Sequence, residues 1–458
     1  MNSKTEKKRG TALKNSCFSI IAVLLVLSIM EFFFRVCLKP SDTCYGTLFN
    51  ISLPPFRIAP PDNFTPAEPE ARRKELQKHL LKYSAAEPAG EGEASTDDLF
   101  GVFLEDEFTG YEYLESCSTP RKWWHINNLG ARAWNDTTKK ISPGKKRILA
   151  FGDSFTACSH IQQGETWPVI MEEKNSSLEV LNFGVDGYSM GQSLLRYRKK
   201  RDLIDYDQVI LVFVPFCDLT RDINTYRRLM GWESWMILPR FTVERDRLEL
   251  VRGPYRTSRS FCQDNRGKLS ARAVDHLRKY DALYYPTKYE NGRSGGDLIL
   301  MKLFLCMYNN GRDSSLHNHL YDPDREALSV SRKIFVSMQK EVESRGGKFR
   351  LFVLPCQDEL HSYGKSTSFK KKWDRMVNSI VTEGVCCTDL TGDLVNMDEN
   401  QFDRAGDRFH NGKKSNTIIA DLIIKSISGD IVTNSNHLVE DERRDLSNCR
   451  DVQSSIEN

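Results

Sequence analysis

Ser154, Asp407 and His410 are the side chains of this 458-residue sequence best suited to acyl chemistry. Ser154 stands in a Gly-Asp-Ser turn directly behind the apolar run at 148–151. That pattern reads as a buried strand delivering a hydroxyl to the carboxyl edge of a sheet, where open α/β folds keep their chemistry. A serine hydroxyl needs a base to take its proton, and an imidazole base needs a carboxylate to hold its Nδ1–H. Asp407 and His410 are three residues apart, so one tight loop can present both while Nε2 faces the serine. A lone Gly-Asp-Ser also spells an ordinary turn or helix cap, and a lone Asp-x-x-His carries little. Their order along the chain, each after a strand, is what joins them.

The elements that must position these residues are legible as alternating apolar runs and amphipathic stretches. Short strands are expected at 148–151, 179–183, 208–214, 349–354 and 385–388. Helices are expected from 164–168 onward, with Thr166 as N-cap and Pro168 in the first turn, and at 190–203, 324–344, 369–382 and 414–424. Alternation of this kind implies a parallel sheet with right-handed crossovers. Gly184 and Gly187 break the chain after the second strand, Gly184 for turn geometry. Between 221 and 325 lies an insertion containing an alternating stretch, 239–251, expected to be a hairpin turning at Arg245-Asp246 and to serve as a lid or cleft wall.

These motifs resemble the SGNH (GDSL-type) hydrolases over roughly residues 120–428. Gly152-Asp-Ser-Phe-Thr156 is similar to the first block, whose serine is the nucleophile, and Asp407-Arg-Phe-His410 to the last. The resemblance implies a flavodoxin-like three-layer α/β sandwich with a mostly parallel sheet. It also implies an oxyanion hole built from the Ser154 and Gly187 backbone N–H groups and a third donor from the block after the third strand. There the sequence reads Pro215-Phe-Cys-Asp218 where the family has Gly-x-Asn-Asp, so Cys217 occupies the place of the asparagine donor. A thiol is a much weaker donor. The segment Trp123 to Arg132, with its Asn-Leu-Gly-Ala-Arg ending, is similar to the lead-in of bacterial membrane-anchored members, and on its own residues equally reads as a packed edge strand and turn.

Composition bounds the rest. Lys plus Arg number 65 and Asp plus Glu 62, a net charge of +3, which gives no argument for a nucleic-acid partner. The basic run 196–201 is expected to be a solvated helix face. Twelve cysteines form no CxxC pair, against a zinc ribbon or redox motif, and their spacing gives no disulfide connectivity. The His-Asn-His at 317–319 lacks supporting acids and reads as surface loop. No metal and no organic cofactor is implied.

Residues 1–16 are basic, and 17–38 are apolar apart from two serines, Glu31 and Arg35. About 22 residues at 1.5 Å each give roughly 33 Å, enough to span a bilayer core. No small-x-small cleavage site follows, so an uncleaved anchor is expected, with 1–16 cytoplasmic and the bulk extracytoplasmic. Glu31 and Arg35 stand one helical turn apart and can pair. Residues 39–100, rich in Pro, Ala, Glu and Ser, read as a spacer with a short helix at 71–82, and 429–458 as a disordered tail. The hydrolase-like domain is expected at 101–428. The function expected is a membrane-anchored serine esterase, with O-acyl groups of an extracytoplasmic glycan as the substrate the resemblance implies. The alternatives are an O-acyltransferase using the same triad, or a degenerate glycan-binding or scaffold protein.

Overall fold

The computed structural model describes residues 2–61, 66, 71, 74, 103–118, 124–232, 234–290, 298–398 and 400–428. They divide into two compact units. One comprises Met1–Phe64, Arg228–Glu233 and Asp264–Asn318; the other comprises Thr65–Arg227, Ser234–Gln263 and His319–Asn458.

The second unit is built on a parallel sheet of β1 (Lys146–Phe151), β2 (Leu178–Asn182), β3 (Gln208–Phe213), β4 (Lys348–Val353) and β5 (Cys387–Asp389). Their spatial order is β5-β4-β3-β1-β2, the flavodoxin-like order 2-1-3-4-5 with its switch point between β1 and β3. Ile148 stands opposite Gln208, and Gln208 opposite Lys348, so the strand starts are level and their carboxyl ends form one edge.

Side chains alternate between the two faces of this sheet. On one face Ile148, Ala150, Ile210 and Val212 join a buried cluster with Trp167 of α1 (Trp167–Lys174) and Ile423 of α7 (Lys413–Ile427). On the other, Phe151 stacks on Phe183 with centroids 5.3 Å apart, and Phe213 meets Phe335 at 5.1 Å. That face is covered by α2 (Met190–Lys200), α3 (Pro215–Asp222) and α4 (Glu326–Glu343). The helices α5 (Gln357–Lys365) and α6 (Thr367–Thr382) follow β4. Each fully buried large side chain of this kind contributes roughly 1.5–3 kcal/mol. The three-layer α/β sandwich expected from the sequence is therefore present, with strand ends displaced by a residue or so.

Several expectations change. The loop expected after β3 is the helix α3, started by Pro215, whose fixed φ suits a first helical position. The basic run at 196–201 is not a solvated face: Arg196 and Lys200 are buried, Lys200 pairs with Glu115, and Arg198 and Arg201 both reach Glu341. The acids that absorb it lie far away in sequence. The hairpin at 239–251 forms, as Arg240–Glu244 and Arg247–Val251, with Arg245 and Asp246 both at positive φ. It packs on α2 and α4, and Lys333 of α4 holds Asp246 at its tip at 2.8 Å.

In the first unit a single helix, Asn2–Cys37, runs through the expected tail and span, and Phe18–Cys37 is long and apolar enough to cross a membrane. Arg35 pairs with Glu31 at 3.0 Å, as their spacing allows. The expected spacer begins instead with a hairpin, Gly46–Leu48 and Ile51–Leu53, whose Leu48 and Leu53 are buried with Ile299. The His-Asn-His segment lies at the end of a helix, Ile299–Asn318, rather than in a loop; His317 Nδ1 is 2.7 Å from the Asp313 carbonyl one turn back. The helix expected at 71–82, apart from Ala71 and Lys74, and the tail at 429–458 lie outside the described residues.

Candidate active site

Every sequence-predicted site residue sits on a loop or helix start at the carboxyl edge of the sheet. After β1 the chain turns into a one-turn helix, Ser154–Ala157, capped by Asp153, whose carboxylate accepts from Phe155 N. After β5, residues 403–412 make a closed loop: Ala405 N donates to the His410 carbonyl at 2.8 Å and Gly412 N to the Asp403 carbonyl at 2.9 Å. Arg408, at its tip, has φ +61°.

This brings His410 Nε2 to 2.7 Å from Ser154 Oγ, and His410 Nδ1 to 2.6 Å from Asp407 Oδ2. Asp407 Oδ1 accepts from the backbone N–H groups of Phe409 and His410, which fixes the carboxylate against its own loop. Phe155 and Phe409 flank the imidazole at 5.0 and 5.1 Å. Partial burial pushes the Asp407 carboxyl up, but its hydrogen bond with His410, the His410 charge and the two N–H groups outweigh this. They hold it well below the usual carboxylate range. It is thus ionised wherever an imidazolium would need it.

The loop after β2 adjoins the nucleophile. Val185 N donates to the Gly152 carbonyl at 3.1 Å, and Asn182 Nδ2 to the Thr156 carbonyl at 2.7 Å. Gly184 is required by close approach rather than turn geometry: a Cβ there would lie 2.5 Å from Ala157 N. Gly187 supplies the turn, with φ +73°. The backbone N–H groups of Ser154 and Gly187 donate to no other described residue and remain available to an oxyanion. Cys217, in the first turn of α3, is buried and belongs to the apolar cluster that includes Phe155, Val214 and Leu360. Burial pushes its thiol well above the ordinary value.

Beneath the nucleophile lies a buried ionic group that the sequence did not reveal. Arg221 Nη1 bridges Asp153 Oδ2 at 2.7 Å and Asp218 Oδ1 at 3.4 Å, and Asp218 Oδ2 accepts from Val214 N. Burial and the Asp153 charge push the Asp218 carboxyl up. This network ties the turn before Ser154 to the turn after β3. Arg132 does similar work on the other side, donating to the carbonyls of Ala157, Cys158 and Ile161 and to Gln163 Oε1 while lying over Trp124 at 3.9 Å. It closes the Asn-Leu-Gly-Ala-Arg pattern, so that motif was a usable signal for a loop clamp.

His160 and Asp186 complete the surroundings. His160, held at φ +65°, puts Nε2 3.6 Å from Asp407 Oδ2. Asp186 is buried, accepts from Ser159 Oγ, and has its carboxyl raised by burial against the opposing pull of Ser159, His410 and His160. Among the described residues, His160, Asp407 and His410 place one ligand atom each within 4.8 Å of one another, a set able to hold a metal ion.

No known family profile and no curated protein matches this chain. Solved structures similar to it in fold include the lipase/acylhydrolase from Enterococcus faecalis, with a TM-score of 0.32 and 12% identity over 62% of this chain and 96% of that one. The psychrotrophic esterase EstA from Pseudoalteromonas sp. gives 0.31 and 12% over 62% and 98%. A member of the lipolytic protein G-D-S-L family from Veillonella parvula DSM 2008 gives 0.30 and 11% over 62% and 98%. These are distant likenesses, so the chemistry assigned below rests on the geometry of Ser154, His410 and Asp407.

Proposed function

We propose that this chain is a membrane-anchored serine esterase of SGNH type. The observation that carries the reading is the unbroken hydrogen-bonded line from Ser154 Oγ through His410 to Asp407. Ser154 Oγ attacks an ester carbonyl as His410 Nε2 takes its proton, and the tetrahedral oxyanion is held by the Ser154 and Gly187 N–H groups. His410 then protonates the departing alkoxide, leaving an acyl-Ser154 ester. Water, deprotonated by the same imidazole, releases the acid and restores the serine. A sugar hydroxyl in place of water would make the same site an O-acyltransferase.

The Phe18–Cys37 helix and the basic residues before it favour an anchor with the catalytic unit on the extracytoplasmic side. O-acyl groups of an extracytoplasmic glycan are the proposed substrate class. The Cys217 departure favours a degenerate binding protein, but an aligned triad has no use in such a protein. The test is turnover of p-nitrophenyl acetate and of an O-acetylated polysaccharide by the full-length protein in detergent, beside Ser154→Ala. Turnover of acetate esters by wild type alone supports the proposal; equal turnover by both refutes it.

A further inference from the structure

A second lipid contact is built into the first unit, and it rests on the anchor reading proposed above. The helix Ile299–Asn318 is apolar at its start and polar at its end: 298–308 reads Leu-Ile-Leu-Met-Lys-Leu-Phe-Leu-Cys-Met-Tyr, and 309–318 reads Asn-Asn-Gly-Arg-Asp-Ser-Ser-Leu-His-Asn. Its apolar half is not a core. Phe304 is 61% and Met307 75% exposed, and Leu298 and Tyr308 are exposed beside them. Lys302, the single charge in this half, is withdrawn, with its ammonium 3.8 Å over the Tyr45 ring. The polar half makes ordinary aqueous contacts, such as Lys288 with Asp313 at 2.7 Å.

The helix start is fixed to the apolar N-terminal helix. Ile299 N and Leu300 N donate to the two Glu31 carboxylate oxygens at 3.0 and 3.1 Å, so a charge inside the apolar span caps the helix. Glu31 precedes Cys37, the end of that span, by a distance of about 9 Å at 1.5 Å per residue. Interfacial amphipathic helices embed their apolar face by about 5–10 Å, so the depth at which Glu31 holds the helix start matches. The hairpin adds to the same side: Phe49 is exposed at its turn, with its ring 6.4 Å from those of Phe33 and Phe34.

We propose that residues 298–308, with Phe49, lie in the acyl-chain boundary of the bilayer that Phe18–Cys37 crosses. The helix enters the boundary at Leu298, reaches headgroup level near Tyr308, as an amphipathic ring does, and continues into water. The partner is phospholipid acyl chain, because this apolar surface continues that of the span.

The test uses the full-length protein in phosphatidylcholine vesicles containing a diazirine-acyl phosphatidylcholine, photolysed and mapped by mass spectrometry. Adducts are expected on 298–308 as well as on 18–37, with 367–382 unlabelled. Met307→Asp should lose the adducts on 298–308 while keeping those on 18–37 and its esterase turnover. Labelled 18–37 with bare 298–308 overturns this inference alone, as do crosslinks joining 298–308 to a second copy. If 18–37 is bare too, the anchor reading falls with it.

Discussion

His160 stacks on His410, with ring centroids 5.2 Å apart and planes 24° from parallel, while its Nε2 shares Asp407 Oδ2 with the catalytic imidazole. One carboxylate therefore serves two histidines, and the exposed face of His410 is covered by a ring that can itself carry charge. His160→Asn should lower kcat/KM by about tenfold or less, a loss of roughly 1 kcal/mol in transition-state stabilisation. It should leave fluorophosphonate labelling intact. A loss as complete as that of His410→Ala would mean that His160 is a base in its own right.

Arg221 is the counter-charge of two buried carboxylates, Asp153 and Asp218. Arg221→Met removes one partner of a buried ionic group and strands the others, which costs about 3–5 kcal/mol. Chemical denaturation should show that loss, with activity falling in the fraction that still folds because the Asp153 turn carries Ser154. A variant as stable as wild type would show that the group is solvated and weak.

The fold was legible because each β-strand is a continuous apolar run bounded by a polar or glycine-containing turn, and the Ser154, Asp407 and His410 motifs keep their local spacing. What stayed hidden depends on partners distant in sequence. Arg221 is one charge among many until Asp153 is beside it, and His160 follows an unremarkable Cys158-Ser159 pair. Arg196 and Lys200 read as solvated because nothing local announces Glu112 and Glu115. The hairpin at 46–53 was missed because its buried leucines find their cover on Ile299, in another part of the chain.

Two carboxylates should give opposite pH signatures. The Asp407 pKa is depressed on folding, so its contribution is present above the unfolded carboxylate value of about 4 and is lost as pH falls through the folded one. Glu359, fully buried, is pushed up to about 7 by burial, against hydrogen bonds from Cys356 N, Tyr321 and Phe216 N. Its folded pKa is raised, so its contribution is full below about pH 4 and lost as pH rises toward and through 7. Denaturation midpoints should therefore decline between pH 6 and pH 8 in wild type and less steeply in Glu359→Gln. The Asp407→Asn stability deficit should shrink below about pH 4. Parallel slopes for Glu359→Gln and wild type would contradict the first part.

Cys217 stands where a side-chain amide is expected, yet its thiol lies in an apolar cluster. Cys217→Asn should cost about 1–3 kcal/mol of stability, the penalty for a buried amide without a full set of partners. Ester turnover should stay within about threefold of wild type, because the two backbone donors already serve the oxyanion. A rise of a hundredfold would show that the third donor position is open and was merely unfilled.

The central claim is that Ser154 is an activated nucleophile. A fluorophosphonate probe reacts with such a serine and not with an ordinary hydroxyl. Applied to the full-length protein in membranes, it should form one adduct, mapped by mass spectrometry to Ser154, and should form none in Ser154→Ala or His410→Ala. A folded wild-type protein that takes up no probe, or takes it up at another residue, would contradict the account.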